Sequence, residues 1–215
     1  MPLKRFKLVV ATALVAVLTA PAAAQGADNF TCRASALRVE TPFLFSEPIV
    51  ANKANDPCAS DSDNLATLTL GSLLTAEVLN ADTTARSDGA SSAASVAEVR
   101  IALGRLVITA TVLQSNAAAR CSAGGVAFSG SSSITRLTIG GTAITVGTQP
   151  NRTIMLPDGL GTIVINQQIK TSNRITVRAL RVESPLLSTF VTVSEAIADV
   201  SGHPCAHHDD PHHHG

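Results

Sequence analysis

The chain has no tryptophan and no tyrosine, and all six of its histidines lie within residues 203–215. Without indole or phenol rings it lacks the flat aromatic platforms on which sugar rings usually stack. Without a histidine in the body of the chain, a Ser-His-Asp triad loses its rigidly held base, and no G-x-S-x-G elbow is present to carry a nucleophile. Charge is scarce as well: sixteen basic and sixteen acidic residues give a formal net charge of zero. That balance offers no electrostatic footprint for nucleic acid or an anionic membrane. Carboxylates for glycoside cleavage are limited to the scattered Glu40, Glu47, Glu77, Glu98, Glu183 and Glu195.

Long apolar runs are missing except at the start. Lys4, Arg5 and Lys7 precede the apolar stretch Leu8 to Leu18, and the small residues Ala22-Ala23-Ala24 follow. A basic segment, a short apolar core and an A-x-A site make a secretory signal peptide over residues 1–24, cleaved after Ala24. The core is shorter than the roughly 20 residues that span a bilayer. The mature chain from Gln25 is therefore expected to be exported, with no transmembrane anchor after cleavage. Its destination is the medium or the exterior of the cell envelope, and the periplasm in a Gram-negative host.

What is abundant is Ala, Thr, Val, Ser and Gly within a chain that is 45% hydrophobic, enough to build a core. Strand signals dominate: LATLTL (65–70), AEVRIAL (97–103), ITRLTI (134–139), TAITV (142–146), TIVINQQI (162–169), RITVRALRV (174–182) and TFVTVSEAIADV (189–200) alternate or are rich in Val, Ile and Thr. Gly140-Gly141 between two of these runs predicts a hairpin, and Pro157-Asp158-Gly159 a second tight reversal. SDGASSAAS (87–95) reads as a flexible connection or a short helical turn. With no amphipathic helix in view, the expected fold is all-β: an antiparallel β-sandwich or flattened barrel, one domain over residues 25–202, followed by a flexible tail over 203–215.

Two internal repeats stand out. ALRVETP at 36–42 returns as ALRVESP at 179–185. Strand alternation puts Leu37 and Val39, like Leu180 and Val182, on an inward face, and the Arg and Glu residues outward. Side by side and antiparallel, the two copies would oppose Arg38 to Glu183 and Arg181 to Glu40. The second repeat matches LGSLLTAEVLNADTTAR (70–86) to LGRLVITATVLQSNAAAR (103–120) with one residue inserted after Leu74. It aligns Leu73 with Leu106, Ala76 with Ala110, Val78 with Val112, Leu79 with Leu113 and Arg86 with Arg120, and reads as long strands rather than helices.

The four cysteines of the mature chain, an even number in an exported protein, predict two disulfides. Of the three connectivities, Cys58 with Cys121 and Cys32 with Cys205 is the one that ties the two ends together.

The stretch GSSSITRLTIGGTAITV, with NRTIMLPDGLGTIVINQQ and ITVRALRVE after it, resembles the choice-of-anchor P family of exported bacterial proteins. The matching positions are Ile134, Leu137, Ile139, Gly140, Pro150, Ile154, Leu156, Gly161, Ile163, Ile165, Asn166, Gln168, Ala179 and Leu180, while Gln167 stands where the family pattern has an acid. The resemblance implies an exported, β-rich surface protein of undefined activity. It carries no catalytic signature. Members often end in an anchoring tail; no LPxTG-like motif or final apolar helix occurs here, and release into the medium or periplasm is expected.

Three groups could carry chemistry. His203, His207, His208, His212, His213 and His214, with Asp209 and Asp210 among them, supply imidazole and carboxylate ligands suited to Zn²⁺, Ni²⁺ or Cu²⁺. A solvated terminus that holds metal only adventitiously is the plainer reading. Asp56, Asp61 and Asp63 could face Ca²⁺, but the loop lacks the Gly and distant Glu of an EF-hand. Asn166-Gln167-Gln168 interrupts an apolar strand and suits side-chain hydrogen bonds that fix a neighbouring turn. The expected function is non-enzymatic, a cell-envelope or extracellular interaction or structural module with an unidentified surface partner; the alternative is a secreted divalent-metal-binding protein working through the tail.

Overall fold

The computed structural model describes residues 29–53, 56–202 and 205. The expected signal segment and, Cys205 apart, the histidine-rich tail lie outside them. The chain opens with β1 (Phe30–Thr41), β2 (Leu44–Ser46) and β3 (Val50–Ala51). It then crosses to a second sheet for β4 (Asp61–Leu70), β5 (Leu74–Arg86), β6 (Gly89–Leu103), β7 (Leu106–Ser122), β8 (Gly125–Ile139) and β9 (Thr142–Ile144). It returns for β10 (Arg152–Met155), β11 (Thr162–Lys170), β12 (Arg174–Ser184) and β13 (Thr189–Val200). The second sheet is a plain antiparallel meander, β4 to β9 in order. The first has the order β10-β11-β12-β13-β1-β2, with β3 also on β1, so the last strand lies between β12 and the first. The sheets pack face to face without closing into a barrel, β13 against β6 and β7 and β1 against β5 and β6. This is the expected all-β sandwich.

Its core is the inward Leu, Val and Ile of both sheets, including Leu37, Leu79, Val99, Leu113, Ile163, Leu180 and Val193. At roughly 1.5 to 3 kcal/mol per buried side chain, this face is what stabilises the sandwich. Toward the end where Phe30 and Val200 meet, alanines on β6, β7 and β13 (Ala90, Ala117, Ala119, Ala196 and Ala198) pack among Phe30, Ile175 and Val177. Polar side chains bolt the sheets together there: Ser92 Oγ donates to Ile197 O (2.8 Å) and Ser194 Oγ to Ala94 O (2.8 Å), while the hydroxyls of Ser115 and Ser194 lie 2.9 Å apart.

The alternation of each strand changes phase at one level. In the second sheet the buried positions step by three there: Ala76 to Leu79, Val96 to Val99, Ala110 to Leu113, and Ile134 to Leu137. In the first sheet adjacent residues are both buried at the matching level: Ala36 and Leu37, Ala179 and Leu180, Val193 and Ser194, Ile165 and Asn166. Alternate strands carry a left-handed residue on this line: Val78 and Val112 (φ 48 and 50), Asn166 and Ser194 (φ 50 and 56). A β-branched residue in that region is uncommon, and both valines project outward, half-exposed.

Both repeats fall on strands that flank a common neighbour. The two ALRVE copies do not pair with each other, contrary to the sequence expectation. β13 runs between them, and Val39 and Val182 both face Val191, while Leu37 and Leu180 both face Val193. β13 is antiparallel to both copies, which therefore run parallel to each other on its two sides. The expected cross-pairs are replaced by pairs within each copy, Arg38 with Glu40 (3.1 Å) and Arg181 with Glu183. In the same way Ala76 and Ala110 both face Val99, Leu79 and Leu113 both face Val96, and Arg86 and Arg120 both face Gly89. Leu73 and Leu106 break the match: Leu74 is the residue level with Ile108, both facing Ile101.

Two other expectations need correction. Residues 89–95 are not a connection but the first half of β6, where Ala90, Ser92 and Ala94 are buried where the sheets are bolted together. The disulfides join Cys32 to Cys58 and Cys121 to Cys205, with Cα separations of 4.9 and 5.3 Å. Cys32 lies inside β1 opposite Ala198, well before Cys205, and the Cys58 N–H donates to Phe30 O (2.8 Å), which brings Cys58 alongside β1. The chain ends are instead tied by the backbone, Ser201 N–H donating to Asn29 O (2.8 Å).

Candidate functional site

On the outer face of the first sheet the register sets rows of charged residues across three strands. Thr31, Asp199 and Arg174 share one row, Arg33, Ile197 and Thr176 the next, then Ser35, Glu195 and Arg178, then Arg38, Thr192 and Arg181. Glu195 is the hub. Although it points away from the core it is 1% exposed, because arginine side chains roof it. Arg178 Nε donates to its Oε2 (2.5 Å), Arg33 Nη1 to its Oε1 (3.3 Å), and Arg38 Nη1 lies 3.6 Å from the same oxygen. Arg33 also meets Glu47 (2.5 Å), and Arg178 Nη1 donates to Gln167 Oε1 (2.8 Å). The Arg33–Glu47 and Arg38–Glu40 contacts are ionic rather than aligned hydrogen bonds, since Glu47 Oε1 and Arg38 Nε make none. A buried carboxylate held this way is expensive to strip of its partners.

Beside this hub lies a recess of about 370 Å³ lined by Arg33, Arg38, Glu47, Lys53, Arg174 and the Ile197 side of β13. The wider outer face of the second sheet has a shallow trough of about 390 Å³ between Asp82, Ser91, Asn116 and Ser131. The other conspicuous surface is apolar. The β1–β2 turn carries Phe43, 98% exposed, with Phe45 at 67%, and the turn between β12 and β13 carries Leu186 at 71% and the half-exposed Leu187. These two turns lie at one end of the sandwich, because Glu40 and Glu183 face the same residue, Phe190.

The candidates named from sequence are scattered. Six histidines, Asp209 and Asp210 lie outside the described residues, and among those described no three His, Cys, Asp or Glu side chains converge as a metal site. Asp61 and Asp63 accept backbone N–H groups from Asn52 (2.9 Å) and Val50 (3.3 Å), so their carboxylates extend the β3 edge instead of facing an ion. The Asn166 group does fix a turn: Asn166 Nδ2 donates to Thr148 O (2.9 Å), and Gln168 N–H donates to Asn151 Oδ1 (2.8 Å). Glu77 and Glu98 are cross-strand neighbours, but both are exposed on an open face and do not oppose each other across a cleft.

Arg33, Lys53, Arg174 and Arg178 went unnoticed in the sequence. The alternation of β1 and β12 places the three arginines outward and Lys53 follows β3, but their convergence needs β13 between β1 and β12, and Arg33 and Glu195 lie 162 residues apart in the chain. No family model matches the chain, and neither does any curated protein or any solved structure.

Proposed function

We propose that this protein is an exported interaction module of the cell envelope or extracellular space, and that the end of the sandwich bearing Phe43, Phe45, Leu186 and Leu187 is its contact surface. The observation that carries this reading is the exposure of those side chains together on two neighbouring turns. Large apolar groups held in water at the tip of a rigid scaffold mark binding surfaces. The signal-peptide pattern and the likeness to exported β-rich surface proteins support the compartment, and the two disulfides suit it. Fractionation of the producing bacterium tests it, comparing the native chain with Phe43→Ser/Leu186→Ser. The native chain is expected with the envelope and the variant in the soluble fraction; an equal distribution of the two overturns the reading.

The tail supports a second reading, capture of a divalent metal by His203, His207, His208, Asp209, Asp210, His212, His213 and His214. The Cys121–Cys205 bond fixes one residue of this segment to the sandwich, which lowers the ordering cost of any site built around it. Calorimetric titration with Zn²⁺, Ni²⁺ and Cu²⁺, on the intact chain and on one truncated after Cys205, separates the two. Absence of tight binding by the intact chain removes the metal reading.

A further inference from the structure

We infer that the recess between Arg33, Arg38, Lys53 and Arg174 is a binding site for an oxyanion group, a carboxylate, sulfate or phosphate, on a ligand about the size of a sugar acid. The inference stands apart from the apolar tip. The walls come from three places: Arg33 and Arg38 on β1, Arg174 on β12 across β13, and Lys53 on the segment after β3. Ile197 of β13 lies between them.

The charge arrangement points to an acid. Four cations line the recess and one carboxylate, Glu47, shares it. The balancing acids lie beneath: the Glu195 side chain is 2% exposed and that of Asp199 11%, against 51% for Arg174. Arg33 and Arg38 are themselves largely covered, with side chains 13% and 22% exposed, so the donors that face solvent are chiefly those of Arg174 and Lys53, with Glu40 the half-exposed acid nearby. Taking Arg178 with the four lining cations gives five positive charges against Glu40, Glu47, Glu195 and Asp199, so one remains, and Lys53 makes no ion pair among the described residues. The guanidiniums are also held from behind. Arg174 bonds Asp199 through Nε and Nη2 (2.6 Å each), and Arg33 bridges Glu47 and Glu195. Donors fixed before the ligand arrives lose little entropy on binding, and a planar fork matches the two oxygens of a carboxylate. A volume of about 370 Å³ admits one monosaccharide-sized unit.

Calorimetric titration of the full mature chain tests this, using galacturonate, an oligogalacturonate, inorganic sulfate and inorganic phosphate, with neutral galactose as control. Saturable binding of at least one acid and none of galactose is expected, weakened by added salt. Lys53→Gln and Arg174→Gln should each lower the affinity about tenfold, the loss of one charge-assisted hydrogen bond, while Phe43→Ser leaves it unchanged. Uronates binding more tightly than the inorganic ions identifies an acidic glycan as the source, and equal binding identifies a free oxyanion. The Lys53 side chain is exposed and makes no hydrogen bond or ion pair among the described residues, so its replacement by Gln leaves the fold intact. Absence of saturable binding by all four acids, or binding undiminished in both variants, overturns the inference.

Discussion

Val39 and Val182 stand on opposite sides of Val191, each in a copy of the same five-residue sequence and each at the same level of β13. The environment of one copy is thus reproduced in the other: Leu and Val against the second sheet, and an Arg-Glu pair on the outside. The second repeat obeys the same rule around β6. In both sheets the repeated strands are alternate strands, and the strand that relates them differs in sequence.

Glu195 is expected to be the costliest polar residue to change. Glu195→Gln keeps the shape and leaves Arg33, Arg38 and Arg178 crowded around a neutral group. Removing one partner of a buried ion pair costs about 3 to 5 kcal/mol. Urea unfolding should show a loss in that range, whereas Glu183→Gln, on a half-exposed pair, should cost under about 1 kcal/mol.

The two disulfides close loops of different length, 26 residues for Cys32–Cys58 and 84 for Cys121–Cys205. In the chain-entropy account their removal costs about 3.5 and about 4.6 kcal/mol respectively. Replacing each pair by serine and measuring unfolding in denaturant checks the order. Peptide mapping under non-reducing conditions should recover these two pairs and no crossed one.

Gly130 of β8 faces β12 with no room for a side chain. A Cβ built there would lie 2.5 Å from Val177 Cγ2 and 2.8 Å from Ile175 Cδ1. Gly130→Ala is therefore expected to destabilise by about 1 to 3 kcal/mol, as overpacking does. Gly124→Ala, in open space, should leave the thermal midpoint almost unmoved.

Ser115 and Ser194 form a buried relay that ends on Ala94 O. Ser194→Ala leaves the buried Ser115 hydroxyl without its partner and takes one hydrogen bond from that carbonyl, at about 1 to 3 kcal/mol. A double change, Ser115→Ala with Ser194→Ala, should cost clearly less than the sum of the single changes, and a double-mutant cycle in denaturant measures the difference.

Local chemistry made the strands legible and long-range geometry hid the site. TFVTVSEAIADV has the bounds of β13, and the Gly140-Gly141 reversal stands where period-two alternation and turn residues put it. Residues 89–95 misled because Ser, Ala and Gly have weak strand propensity, yet small residues are what closely packed sheets admit there. The change of phase at Val78 and Val112 was also hidden. A strand whose alternation shifts halfway reads as two weak patterns rather than one strong one. The arginine hub could not be read because it depends on which strand lies beside β1, and nothing within β1 states that.

The position of β13 bears on the order in which the chain can fold. A chain that emerges amino-terminus first, from a ribosome or an export channel, can complete the β4-to-β9 meander from neighbouring segments alone. The first sheet cannot be completed until the last strand has appeared: β12 pairs with β11 and β1 with β2 and β3, but β1 and β12 do not pair with each other and are joined only through β13. Glu195, carried on that strand, arrives among arginines that until then have nothing buried to neutralise. Assembly of the charged recess is thus coupled to release of the final strand, and a chain arrested before residue 189 should hold a formed second sheet and a first sheet still in two unjoined parts.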